Sequence, residues 1–275
     1  MAVHFAGSER GLMELLTMNP LQIEKSTGNL LLDALPPEER LKLRPVLVTL
    51  SAGQVLCECD NQVSWAYFPT TCVVSCLYTT QDGTTAETAL IGNDGMLGVA
   101  LFLAGGASST RAVVQVAGHA LRIFPQALQA QFANAGAVQQ VLLRYTDALL
   151  SQVSQTAICN RLHPLKQRLC RWLLLCHDSV GQSEFLMTQE LIANVLGGRR
   201  ESVTVAAGHL QDLGALRYSR GHIRILNRQL LEQLACECYS VIKGRLSQPR
   251  EFTNPSSVKL HNRPSANNRP SSSVG

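Results

Sequence analysis

The clearest hydrophobic pattern in the chain lies in residues 187–212. Leu191, Ile192, Val195 and Leu196 make one apolar face of a short helix; Thr188 suits its N-cap, Gln189 and Glu190 fill its opening turn, and Gly197-Gly198 stop it. Val203, Ala206, Ala207 and Leu210 then recur at i, i+3, i+4 and i+7, which predicts a second helix with a core-facing stripe. Its other face carries Arg200, Glu201, Thr204 and Gly208, polar where the helix starts and nearly smooth further along. A helix that enters the DNA major groove reads bases mainly near its N-terminus and needs small side chains beyond, although two such helices also fit a purely structural hairpin. In residues 213–226, Leu216, Ile223 and Ile225 are the apolar positions, and Arg217, Arg220, His222 and Arg224 surround Gly221. This predicts a two-stranded wing whose tip offers cations to a phosphate backbone.

Elsewhere the period changes twice. From Asn29 an amphipathic helix, a Pro36-Pro37 break and a second helix lead into a strand. Residues 51–90 hold short β-rich runs (VLCEC, WAYF, VVSCLYTT, TAETALIG) separated by turn residues, of which Asp82-Gly83 is the strongest hairpin signal. Many short strands imply a sandwich or jelly roll, and other antiparallel folds satisfy the same period. Residues 115–123 close the β region and Pro125 opens a helix. In residues 137–160 the apolar positions Val138, Val141, Leu142, Tyr145, Leu149 and Val153 are spaced as in a coiled coil. That is the pattern of a dimer seam interrupted by Gln152 and Gln155, which would set its register, or of a single core helix. Pro164 starts the next helix, with Leu165, Leu169, Trp172, Leu173 and Cys176 facing inward; residues 179–185 read as a connector, and Asn227 caps a final helix that ends near residue 246. Residues 1–27 have weak pattern and read as a loosely held arm, and the Pro-, Ser- and Asn-rich residues 247–275 as a disordered tail.

The stretch TQELIANVLGGRRESVTVAAGHLQDLGALRYSRGHIRIL resembles the winged helix-turn-helix of the Crp/Fnr superfamily of bacterial transcription regulators. NRLHPLKQRLCRWLLLCHD is similar to the segment entering that domain, and LACECY resembles the closing motif of one subgroup. The resemblance covers about residues 28–246. It implies an α+β fold: an N-terminal antiparallel β-roll (a cyclic-nucleotide-binding-like jelly roll, residues 28–136), a dimerisation helix (137–160) and a C-terminal winged helix-turn-helix (161–246). It further implies a homodimeric transcription regulator reading a two-fold symmetric site in double-stranded DNA, with RNA polymerase as a second partner. Arg200 would read guanine and Glu201 the cytosine amino group; Arg199, Ser202 and Thr204 would make mixed base and phosphate contacts, and Thr188, Gln189, Arg220 and His222 would hold phosphates. Relatives that bind cyclic nucleotides carry a Glu for the ribose and an Arg for the cyclic phosphate. Here Val99 stands in place of that Glu, and the Arg position falls on Thr110 or Arg111. Cyclic AMP is therefore not the expected effector, and these three residues mark a candidate pocket for a different small molecule. The turn Gly197-Gly198-Arg199 also departs from the family, where a bulkier residue or Ser is usual, and suggests a looser angle between the two helices.

Composition adds limits. Charged residues are only 16% of the chain, which points to extensive buried surface, and a formal net charge of +4 is compatible with nucleic acid without requiring it. There is no apolar run of membrane-spanning length and no convincing signal peptide. Nine cysteines scattered through core elements fit reduced thiols and a cytoplasmic protein. No cofactor and no metal site are expected. The family's N-terminal cluster cysteines are missing, Cys236 and Cys238 on one helix would point about 200° apart, and Cys57 and Cys59, sharing a strand face, lack a second pair. His163 and His177 read as capping or packing groups. With no catalytic motif an enzyme is not expected. The alternative is a ligand-binding or protein-interaction module whose helical domain has lost specific DNA reading.

Overall fold

The computed structural model describes residues 25–103 and 105–247; most of the expected arm and nearly all of the expected tail lie outside them. After two short helices, α1 (Leu30–Asp33) and α2 (Pro37–Lys42), come strands β1 (Val46–Leu50), β2 (Val55–Cys57), β3 (Ala66–Pro69), β4 (Val73–Thr79) and β5 (Thr85–Ile91), a helical turn α3 (Ala100–Leu103), and β6 (Arg111–Val116) and β7 (Gly118–Ile123). They form two antiparallel sheets, ordered β1-β7-β3 and β2-β6-β4-β5. Phe68, Leu121 and Ile123 of the first sheet and Val74, Ala112 and Val114 of the second are buried together with Met96, so the roll is a packed core of alternating inward residues. The Asp82-Gly83 signal lies in the β4–β5 turn, where Gly83 takes φ +83°. Cys57 ends β2 and is buried whereas Cys59 lies beyond the strand and is exposed, so the two do not share a strand face as the spacing suggested.

Strand β4 is buried on both faces. Val74 and Cys76 join the roll interior, while Val73 and Leu77 join a second core built around Trp172. That second core belongs to helices α6 (Leu165–Val180), α7 (Gln189–Leu196) and α8 (Arg200–Asp212) and their companions. The C-terminal half therefore packs directly on the back of the larger sheet. A buried carboxylate marks the contact: Glu87 on β5 accepts from the Trp172 indole Nε1 at 3.1 Å and from the Ser75 hydroxyl. Burial raises the Glu87 pKa, against the opposing pull of these two donors and of Arg171.

After α4 (Pro125–Ala133), the long helix α5 (Ala137–Leu162) links the halves. Here the structure corrects the expected dimer seam. Val138, Val141, Leu142 and Tyr145 are buried in the core of their own roll, where the Tyr145 hydroxyl donates to Met96 O at 2.9 Å. Gln152 and Gln155 are also used within the chain: Gln152 Nε2 donates to Leu90 O at 2.9 Å, and Gln155 Nε2 to Cys238 Sγ at 3.0 Å. The exposed side of α5 carries a different line, Leu143, Asp147, Leu150, Ser154, Ala157 and Arg161. Its spacing alternates between four and three residues, the repeat of a two-helix seam.

The helix ends at His163 because the residue before Pro164 is driven out of the helical region; it takes φ −104°, ψ 140°. Beyond α6, β8 (Glu184–Leu186) pairs with β10 (His222–Ile225), which pairs with β9 (Leu216–Ser219). The wing thus has three strands, and part of the expected connector supplies the third; three residues are too few to show a period. The single expected C-terminal helix is two, α9 (Arg228–Leu234) and α10 (Cys238–Ser247), broken at Ala235, whose backbone is extended. That break overturns the geometry expected for Cys236 and Cys238, since Cys236 precedes α10 and Cys238 opens it. No helix among the described residues is long and apolar enough to cross a membrane.

Candidate nucleic-acid interface

Helix α7 starts where Thr188 Oγ1 accepts from Leu191 N at 3.2 Å. It stops at Gly197, whose φ of +59° closes the C-cap in the left-handed region that Gly occupies without steric cost. Helix α8 follows after Arg199. Val203, Ala206, Ala207 and Leu210 are buried, so the helix turns Arg200, Glu201, Thr204 and Gly208 outward. A Cβ built on Gly208 meets nothing within 4 Å, which leaves the middle of the helix open to close approach. The Thr204 hydroxyl lies 2.9 Å from Gln189 Oε1 and 3.0 Å from Arg200 O, and so ties the start of α7 to the first turn of α8.

The wing turn is Arg220-Gly221, joining Ser219 to His222. Both turn residues have positive φ, +49° and +80°. A two-residue hairpin turn of this kind matches strand twist but favours Asn or Gly at its first position, and an Arg there costs about 1 kcal/mol or more. The side chain held at that cost stands at the mouth of a groove of about 460 Å³, lined by Thr188, Gln189, Glu190, Arg200, Tyr218, Arg220 and Gly221. Neither Arg200 nor Arg220 has a carboxylate partner among the described residues. Two unpaired guanidiniums beside the N-terminus of an exposed helix present donors to anionic oxygen or to acceptors on a base edge.

The other candidates fall elsewhere. Glu201 is exposed on α8 but does not line the groove. Arg199 and Ser202 line a separate recess with Thr84, Thr85, Asn194 and Gly198, where the helix-turn-helix meets the β4–β5 hairpin. His222 Nδ1 lies 3.8 Å from Glu184 Oε1, and the same carboxylate holds Arg224 at 2.6 Å. Arg224 keeps the Glu184 carboxyl below its usual range. Glu190 and Tyr218 were missed. Tyr218 is not among the apolar wing positions that the sequence marks, and its hydroxyl donates to Met187 O at 3.1 Å while the residue lines the groove.

In the roll, Val99 is half-buried against the core. The Thr110 carbonyl accepts from Ser108 Oγ at 2.7 Å. Arg111 opens β6, and its Nε sits 3.1 Å from Glu58 Oε2. An anion approaching Arg111 therefore meets a guanidinium already paired through its Nε.

The cysteines also need revision. Among the described residues, the pair Cys159 and His163 is brought together with the pair Cys236 and Cys238, distant in sequence, although no metal site was expected of them.

Comparison with known proteins bears on the C-terminal half most directly. Residues 167–234 match the Crp-like helix-turn-helix domain family. No curated protein matches the chain. Among solved structures, it is similar to a Crp/Fnr-family protein from Eubacterium rectale, with 17% identity and a TM-score of 0.59 over 76% of this chain and 99% of that one. It is similar to FixK2 from Bradyrhizobium japonicum, with 17% identity and a TM-score of 0.56 over 70% and 98%. It is also similar to the c-di-GMP responsive global regulator CLP from Xanthomonas campestris, with 15% identity and a TM-score of 0.53 over 68% and 97%. At these identities the structural likeness is one of fold, and the match to the domain family supplies the sequence relation. The chain therefore carries a Crp-like helix-turn-helix domain over residues 167–234 and shares its overall fold with structures of the Crp/Fnr family.

Proposed function

We propose that this protein is a homodimeric, sequence-specific DNA-binding transcription regulator, with a sensor domain over residues 28–136, a dimerisation helix from 137 and a DNA-binding domain over 161–246. The observation that carries this reading is the groove in which unpaired Arg200 and Arg220 meet Thr188 and Gln189 at the start of α8. Arg200, with Glu201, reads base edges, and Arg220, Thr188 and Gln189 hold phosphates, with Thr204 bracing Gln189. Arg199 and Ser202, exposed at the recess against the β4–β5 hairpin, and His222, beside Glu184, lie outside this groove. The second copy docks along the exposed α5 line, where Leu143 and Leu150, 40% and 63% exposed, otherwise face water. Two recognition helices held about 34 Å apart would then read two half-sites, and RNA polymerase is the further partner of such a regulator.

Selection of bound duplexes from a random-sequence pool tests this reading, with Arg200→Ala in parallel. The expected result is a two-fold symmetric motif from the wild type and its loss in the variant; a wild type that enriches nothing, with or without cell extract, overturns the reading. For the sensor, the absence of a carboxylate at Val99 and the pairing of Arg111 with Glu58 argue against cyclic AMP and leave room for a different small molecule. Titration calorimetry should show no binding of cyclic AMP, and micromolar affinity would refute this part.

A further inference from the structure

Cys159 and His163 sit on the last turn and C-cap of α5; Cys236 and Cys238 flank the start of α10. Their ligand atoms all lie within 4.8 Å of one another. Cys159 Sγ is 3.5 Å from Cys236 Sγ, and Cys238 Sγ is 3.4 Å from His163 Nδ1. A tetrahedral zinc ion with Zn–S near 2.3 Å and Zn–N near 2.0–2.1 Å requires ligand atoms about 3.5 to 3.8 Å apart along each edge. These two separations are close to such edges, and the 4.8 Å limit on the others is too short to enclose a cluster of several metal atoms.

The surroundings suit a metal as well. His163 Nε2 faces Glu237 Oε1 at 3.3 Å, which fixes the ring and turns Nδ1 toward the sulfurs, the usual arrangement of a carboxylate behind a metal-binding histidine. Gln155 Nε2 donates to Cys238 Sγ at 3.0 Å, as an amide does to a thiolate. Arg168 and Arg171 come from α6, and each has a buried Nε with no hydrogen-bond partner. Both act electrostatically on Cys159. Three thiolates and one divalent ion carry a net charge of −1, which these guanidiniums would offset. Packing alone does not account for the group, because Cys159, Cys236 and Cys238 form a small cluster of their own, apart from both main cores. A Cys159–Cys236 disulfide would leave Cys238 and the Glu237-backed His163 without a role.

We propose that Cys159, His163, Cys236 and Cys238 form a mononuclear tetrahedral site for zinc that staples the end of the long helix to the last helix of the DNA-binding domain. Binding converts the three thiols to zinc-bound thiolates and releases their protons, with no change in oxidation state. The site spans the His163-Pro164 bend, so its occupancy fixes the angle at which the helix-turn-helix leaves α5. Nothing in this assignment depends on DNA reading.

The test uses the full chain purified under reducing conditions. Metal analysis should give one zinc per chain. Cobalt(II) added to the metal-free protein should produce strong thiolate-to-metal absorption that zinc abolishes. Glu237→Gln should weaken binding about 10-fold, and Cys238→Ser by about 100-fold or more. Cys72→Ser and Cys170→Ser, outside the site, should leave it unchanged. Should a ligand variant fail to fold, His163→Cys keeps four ligands; it should retain zinc and intensify the sulfur-to-cobalt absorption, which a packing role would not do. No stoichiometric metal with all thiols reduced, cobalt binding unaffected by Cys238→Ser, or a Cys159–Cys236 disulfide formed with zinc present would each overturn the proposal.

Discussion

Two arginines offer the sharpest contrast in the molecule. Arg200 stands at the N-terminus of an exposed helix with no carboxylate partner, in an open groove shared with Arg220. Arg111 stands at the start of β6, where the resemblance suggests an effector anion, and is paired with Glu58. An unpaired guanidinium offers a phosphate its full charge and every donor, whereas one paired through Nε has its charge partly neutralised and one edge engaged. The helix-turn-helix head therefore presents an unpartnered cation, and the roll a partnered one. Joining the two halves is the Trp172–Glu87 contact, which makes the back of the larger sheet part of the core of the helix-turn-helix half.

Breaking that contact should have the largest effect. Trp172 is fully buried, and Trp172→Ala should cost about 3–5 kcal/mol in urea denaturation, since it leaves a cavity and removes one of the two donors to the buried Glu87 carboxyl. A cost below about 1 kcal/mol would show that the two cores are independent. The same contact predicts a pH dependence. Burial raises the Glu87 pKa above 4.5, so its protonated form favours folding; that advantage is complete below pH 4.5 and is lost as pH rises through the folded-state value. The stability of the wild type relative to Glu87→Gln should therefore fall across this window. Asp94, raised to about 6 by burial, acts in the same direction in both proteins and cancels in the difference. Parallel stability curves would rule out a buried ionisable Glu87.

Next in size is the head itself. Arg200→Ala should cost about 1–3 kcal/mol on the selected site and relax specificity at one base pair per half-site. Equal losses on selected and random DNA would count against base reading. Arg220→Gly should separate stability from binding. Removing an Arg from positive φ should stabilise the fold by about 1 kcal/mol or less, while affinity for all sequences falls and the salt slope drops by about 1. Loss of stability would mean that Arg220 makes a contact within the protein. The smallest effect should come from Arg111→Ala, under about 1 kcal/mol in stability, because the pair with Glu58 is exposed. A much larger loss would indicate that the pair holds the roll together.

The helix-turn-helix could be read residue by residue because its determinants are local. Thr188 caps, Gly197 stops, and the 3.6-residue period of Val203, Ala206, Ala207 and Leu210 fixes which face is buried. The roll could be read as β structure for the same reason. Its register and sheet order depended on pairings between distant strands, as when β7 lies between β1 and β3. The line Val138, Val141, Leu142 and Tyr145 shows where periodicity stops being informative: it reveals that a face is apolar but not whether a second copy or the chain's own roll covers it. The third wing strand escaped notice because three residues carry too little period, and the break at Ala235 because Ala is a good helix former.

The sequence by itself determined the capped helices, the turn positions, the alternating strands and which polar side chains the second helix of the helix-turn-helix turns outward, since each follows from neighbours within a few positions. Tertiary structure alone decided which polar residues share one groove, that Arg199 and Ser202 line a recess against the β4–β5 hairpin, that Arg111 is paired, and that Cys159 and His163 meet Cys236 and Cys238. Each of these contacts joins segments separated by tens of residues. Local propensity does not encode them, and the way the chain closes its two cores does.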